Sequence, residues 1–283
     1  MTLVMGGVAY DPKVVMIWLG FRDWLVRHDL PFDFVLYSHY ERQIEDLVEG
    51  RIHAAWNSPL AWLRAQRLAA ARGRQVRPVV MRDTDQDLTS VIVVRADAPV
   101  RTVADLKGET VAVGAVDSPQ ATLIPLAHLR SAGLRPGEDA TVRRFDVGVG
   151  LHGDHIGGER DAARALMAGE VTATCMIDGN HLLFGREGTL PAGATRVLAQ
   201  TAGYDHCNMT VVDTAPQDLV DRFVELLLSM SYADAEIRPL LDLEGLTAWR
   251  DGRDSGYAAL TSAVDATGFY DERGRITALE YTP

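Results

Sequence analysis

The chain has 283 residues, 47% hydrophobic and 24% charged, the balance of a protein that folds around its own core. That length allows two domains or one large one, and buries enough surface to fold without a metal or disulfide framework. A formal net charge of -11 argues against a nucleic-acid groove, which needs a basic stripe to meet phosphates.

In chain order, Asp11-Pro12 opens the first predicted helix, and Phe32 to Tyr37 is a short strand rich in aromatic and β-branched residues. Glu41 to Glu49 is a helix stopped by Gly50, and Ile52 to Trp56 is a strand. Ser58-Pro59 then starts a helix that runs to about Gly73, with serine as cap and proline in the first turn. Strands follow at Val76 to Met81, Thr89 to Arg95 and Thr110 to Gly114. Ser118-Pro119 opens a helix ending at Gly133. Thr141 to Val147, Thr172 to Ile177 and Thr195 to Ala199 are further strands, and Leu219 to Met230 is an apolar helix. Strands alternating with helices predict an α/β protein with parallel sheets covered on both faces.

An internal repeat suggests two similar lobes. Leu47 to Ala54 and Leu166 to Ala173 share one pattern: helix end, glycine stop, strand. Lobe one is expected from residues 1–92 and 211–283, and lobe two from 93–210. Three helices begin with a cap and a proline, at Asp11, Ser58 and Ser118, each following the carboxyl end of a strand. Ligands bind there in open α/β sheets, and helix N-termini favour anions. The structural alternative is that Ser-Pro is only a good helix start.

The stretches Phe34 to Glu41, Gly50 to Trp62, Ser90 to Arg95 and Val103 to Val113 resemble the phosphonate-binding receptors of ABC importers. The resemblance spans roughly Val8 to Asp178 and implies the two-lobed type II periplasmic-binding-protein fold, with a ligand cleft between lobes that closes by hinge motion. It puts Tyr10 in the first ligand-facing loop and Asn57 and Ser58 in the second. It puts Ser118, Gln120 and Thr122 at the helix start that holds the anion, and Asp178 against the ligand's amine. Lys13 and His39 join the candidate ligand contacts. Lys13 could pair with an anion or form a Schiff base; the alternative is a solvated first-turn lysine. The chain departs from the receptors in having fewer hydroxyls at the helix start and Arg160-Asp161 where they carry His-Asp. A carboxylate therefore fits as well as a phosphonate or phosphate.

Gly148 to Gly153 spells a dinucleotide fingerprint, but the next helix is expected near Glu159, so the glycines cannot seat a pyrophosphate on it. Gly148 to Gly158 is read as a flexible loop, with a lid role at the cleft mouth. His152, Asp154, His155 and Glu159 lie in or beside it. His152, His155, His181 and His206 are candidate ligands for a divalent metal, the one cofactor this chain suggests. His155, Glu159 and His206 are the candidate acid–base groups of an enzyme. Cys175 reads as core. Cys207 follows His206, and strand alternation would turn the two side chains to opposite faces.

Two functions stay open. One is binding of a small anionic or polar metabolite. The other is a lyase-type enzyme on the same fold, such as a decarboxylase, dehydratase or pyrimidine synthase, with metal assistance from histidines. No basic side chain precedes Lys13, and Gly6-Gly7 breaks the early apolar run, so the expected location is cytoplasmic. Neither a nucleic-acid partner nor a membrane span is expected, and without export a transporter partner is not expected either.

Overall fold

The computed structural model describes residues 1–153 and 156–283. It divides into two compact units. The first takes residues 1–87, 205–257 and 270–277; the second takes 88–204, 258–269 and 278–283.

The first unit opens with β1 (Leu3–Val8), α1 (Lys13–Arg27), β2 (Phe32–Tyr37), α2 (Tyr40–Val48), β3 (Ala54–Asn57), α3 (Pro59–Ala71) and β4 (Val76–Arg82). The second unit follows with β5 (Ser90–Arg95), β6 (Thr110–Val113), a π-helical turn Pro119–Leu123 running directly into α4 (Ile124–Ser131), and β7 (Thr141–Arg144). It continues with α5 (Ile156–Met167), β8 (Ala173–Ile177), α6 (Asp178–Glu187) and β9 (Thr195–Gln200). The chain then returns to the first unit as β10 (Asn208–Val212), α7 (Gln217–Ser229), α8 (Arg238–Glu244) and β11 (Trp249–Asp251), and α9 (Ala258–Thr267) belongs to the second.

Each unit is built on one sheet. The first runs β11-β4-β10-β3-β1-β2 and the second β7-β6-β8-β5-β9. Without β11 the two orders are the same, which extends the repeat seen in the sequence to whole sheets. Gly50 and Gly169, the paired helix stops, both take left-handed conformations, with φ of 75° and 74°.

The sheets are mixed rather than purely parallel. β1 pairs parallel with β2 and β3, and β6 with β7 and β8. β10 enters the first sheet antiparallel to β3 and β4, and β5 enters the second antiparallel to β8 and β9. Both strands arrive from the other unit instead of through a helical crossover, so the parallel rule does not bind them.

The unit boundaries also differ from those expected. Ile92 lies in the middle of β5, which pairs along its length with β8, so the chain crosses before β5, between residues 87 and 88. The return falls between 204 and 205, ahead of β10 rather than inside it. The C-terminal region does not all rejoin the first unit. α9 buries Leu260, Ala263 and Val264 and packs on α4 in the second. Periodicity reveals an apolar face but not the partner that covers it.

Aromatic side chains dominate the first core. α1 buries Val14, Ile17, Trp18, Phe21, Trp24 and Leu25, one face at helical spacing. Trp18, Phe21, Trp56 and Trp249 meet at ring separations of 5.5–6.4 Å, mostly edge to face. The second unit has aliphatic cores on the two faces of its sheet, one around Ile92, Val111 and Leu129, the other around Val93, Leu166 and Phe184.

Candidate ligand site

The second unit concentrates polar groups at the start of the 119–131 helix. Ser118 is extended in backbone after a turn at 116–117, and its Oγ accepts the Ala121 N–H at 3.1 Å. Proline follows, so the first turn needs no donor there. Ser118 is buried, as are Asp117, Gln120 and Thr122. Three polar atoms in this turn find no hydrogen-bond partner among the described residues: Asp117 Oδ1, Gln120 Oε1 and Thr122 Oγ1. Thr174 Oγ1, on β8 which packs against the turn, is a fourth. Buried polar atoms normally pair, so such a group marks a place where a bound molecule can supply the missing bonds.

Other bonds hold the turn rigid. Ser90 Oγ donates to the Gln120 carbonyl at 2.5 Å. Its only hydrogen is thus used, so the Tyr204 hydroxyl, 2.7 Å away, donates to Ser90. Gln120 Nε2 donates to the Gly153 carbonyl at 2.8 Å. Asp117 Oδ2 accepts the N–H groups of Gly150 and His152, each at 2.9 Å. Burial pushes the Asp117 carboxyl up, against these bonds and the charge of His152.

The Gly148 to Gly153 stretch is therefore a set of turns lying on the helix start, and no helix begins within it. The next helix opens at Ile156, earlier than the expected Glu159. A Cβ on Gly153 would sit 2.5 Å from Ser118 Cβ, so only glycine permits this approach.

Asp178 opens α6 half-buried, its carboxylate accepting Thr89 Oγ1 at 2.7 Å and the Gly179 N–H at 2.7 Å. Glu159 is buried and structural in its contacts: Oε2 accepts the Ile177 N–H at 3.0 Å and Asn180 Nδ2 at 2.8 Å, tying α5 to the β8–α6 turn.

In the first unit Ser58 caps α3, its Oγ accepting the Ala61 N–H at 3.1 Å. Asn57 is fully buried with both ends of its amide engaged. Gln43 Nε2 donates to Asn57 Oδ1, Asn57 Nδ2 to Thr210 Oγ1, Thr210 to Asn208 Oδ1, Asn208 Nδ2 to Tyr257, and Tyr257 to the His206 carbonyl, all at 2.7–2.9 Å. Asn57 thus fixes the β3–α3 turn. Tyr10 and His39 are half-buried, and Lys13 is exposed in the first turn of α1, where its N–H is accepted by Asp11 Oδ1 at 2.8 Å.

Among the described residues, the metal candidates His152, His181 and His206 form no common cluster of ligands. His155 and Asp154 lie outside the described residues. His152 is buried beside Tyr281, and His181 lines a surface pocket with Leu182, Pro191 and Thr195; burial lowers its basicity. His206 belongs to the first unit and sits with Asp85 and Cys207. The expectation that His206 and Cys207 diverge is wrong: Cys207 Sγ is 3.1 Å from His206 Nδ1. The pair precedes β10 and is not in a strand, so alternation does not apply. Cys175 is core, as read, and burial pushes its thiol up to about 12.

The sequence reading missed Asp117, Ser90, Tyr204 and Thr174 around the helix start. Asp117 adjoins the Ser118 motif, and that adjacency was its only signal.

Two units built on the same sheet order, exchanging β5 and β10, with a Ser-Pro helix start in each, define the type II periplasmic-binding-protein fold. Residues 9–257 match the family of ABC transporter, phosphonate, periplasmic substrate-binding proteins, and the chain belongs to that family. Solved structures share the fold. PhnD1 from Prochlorococcus marinus, in complex with methylphosphonate, matches at 12% identity and a TM-score of 0.70, over 95% of this chain and 99% of its own. A protein from Xanthomonas citri bound to ATP matches at 16% and 0.69, over 93% and 98%. A binding protein component of a phosphonate ABC transporter from Pseudomonas aeruginosa matches at 12% and 0.62, over 93% and 85%. No curated protein matches the chain in sequence. Among the described residues no helix is long and apolar enough to cross a membrane.

Proposed function

We propose that the chain binds a small oxyanion of phosphonate, phosphate or carboxylate type, with the anionic end at the start of the 119–131 helix. One observation carries this reading: Thr122 Oγ1, a hydroxyl buried in the first turn of that helix, has no partner among the described residues. A hydroxyl there can donate to an anion already favoured by the helix N-terminus. Ser118 Oγ accepts from Ala121, which leaves its own hydrogen to donate. Asp117 Oδ1 and Gln120 Oε1 are acceptors, so the matching ligand also brings hydrogens, from a protonated oxyanion or an amine. Asp178 is the further proposed contact for a cationic end. The neighbours solved with methylphosphonate and ATP support the ligand class, since both ligands present phosphorus oxyanions.

The function is binding without turnover. Calorimetric titration with methylphosphonate, inorganic phosphate and a short carboxylate should give saturable heat for at least one. Phosphorus NMR should recover the phosphorus ligands unchanged. The Ser118→Ala, Thr122→Val double variant should bind at least tenfold more weakly while losing only about 1 kcal/mol of stability from the cap. Unaltered affinity in that variant, or conversion of the ligand, would overturn the reading.

A further inference from the structure

We propose a divalent transition-metal site of zinc type in the first unit, formed by Asp85, His206 and Cys207. Their ligand atoms lie within 4.8 Å of one another, the one such group among the described residues. Cys207 Sγ is 3.1 Å from His206 Nδ1, and Asp85 Oδ1 is 3.4 Å from the same nitrogen. Bonds of about 2.0–2.1 Å to nitrogen and oxygen and about 2.3 Å to sulfur place ligands of a tetrahedral ion roughly 3.3–3.6 Å apart. The sulfur–nitrogen and nitrogen–oxygen separations are already close to that spacing.

The donors are held in place. Arg82 grips the Asp85 carboxylate with two bonds, Nε to Oδ2 at 2.6 Å and Nη2 to Oδ1 at 2.9 Å, and its guanidinium lies over the Trp56 ring. Such an outer partner orients a ligating carboxylate. The His206 N–H donates to the Asp85 carbonyl at 2.8 Å, and Tyr257 donates to the His206 carbonyl at 2.9 Å. Asp85 precedes the first crossing and His206 follows the return, so an ion here would tie the two connecting segments together.

Charge favours a cation. Nδ1 faces both a sulfur and a carboxylate oxygen. A divalent ion satisfies all three donors together. Glu244 lies 3.5 Å from Arg82 Nη1. Two carboxylates and a thiolate then balance one guanidinium and one divalent ion. Imidazole, thiolate and carboxylate are the zinc donor set, and three protein ligands leave a fourth position open.

Cobalt(II) titrated into the chelator-stripped full chain tests this. One equivalent should bind with a thiolate-to-cobalt charge-transfer band, displaced by zinc. His206→Gln should weaken uptake at least tenfold, and Cys207→Ser, with its fold checked by circular dichroism, should lose the band. Zinc should also protect Cys207 of the unaltered protein from iodoacetamide, read by mass spectrometry, a readout that needs no variant. Absence of stoichiometric uptake, a band unchanged in Cys207→Ser, or unprotected Cys207 at saturating zinc would each overturn the site. None of these residues belongs to the proposed oxyanion contacts, so the two proposals fail separately.

Discussion

Asp117 is buried and bonded through Oδ2 to two backbone N–H groups, yet burial raises its pKa. An acid whose pKa is raised on folding binds its proton more tightly in the folded state. It therefore costs stability when ionised, and the cost disappears as pH falls through its folded pKa. Asp117→Asn keeps an acceptor for the two N–H groups and removes the charge. Thermal unfolding should show the variant more stable than the parent at pH 7, with the gap closing as pH falls; a gap that widens toward acid would reverse the sign. Gly153 is as constrained by space, with Ser118 Cβ 2.5 Å from where its own Cβ would sit and φ at 61°. Gly153→Ala should cost about 1–3 kcal/mol by urea denaturation, and an unchanged midpoint would contradict the close approach. Neither feature is legible in a sequence, because both depend on a loop meeting a turn 35 residues away, as His152 meets Asp117. The meeting of His206 with Cys207 escapes for a related reason: alternation is a strand rule, and these two residues lie outside any strand.

Elements were legible where local chemistry set their ends. Ser58-Pro59 and Ser118-Pro119 do begin helical segments with serine caps, and Gly50 and Gly169 do follow helices in left-handed turns. β1 is hard to read from the sequence because Gly6 and Gly7 interrupt its apolar run, although it lies between β2 and β3 in the sheet. The π-helical turn at Pro119–Leu123 has no sequence signature, and it is this turn that carries Gln120 and Thr122. In the first unit, the run from Gln43 to the His206 carbonyl joins α2, β3 and β10 through buried donors that all point one way. Thr210→Val keeps the shape but strands Asn57 Nδ2 and Asn208 Oδ1. Two unsatisfied buried groups should cost about 2 kcal/mol or more in chemical denaturation. A loss below about 0.5 kcal/mol would mean that the run adds little to the sheet.

At the scale of the molecule, the α/β class and the family resemblance were readable because helix–glycine–strand units recur and the first-lobe motifs are contiguous. The sheet order was not, since β5 and β10 join sheets remote in sequence from their own neighbours, and their antiparallel direction follows from that exchange. The placement of α9 escaped for the same reason. For the candidate site, sequence supplied Ser118, Gln120 and Thr122 but not the acceptors and struts around them. Ligand binding should stabilise the chain by mass action, about 2.7 kcal/mol at a hundredfold excess over Kd, and a ligand that leaves the unfolding midpoint unmoved at that excess is not bound to the folded state. The oxyanion is proposed to sit at the start of the 119–131 helix. A crystal structure of the chain with methylphosphonate tests it directly. A phosphonate oxygen should sit about 2.5–3.0 Å from Thr122 Oγ1, with Ser118 as a second donor; methylphosphonate bound elsewhere, with the Thr122 hydroxyl still unpartnered, would rule this placement out.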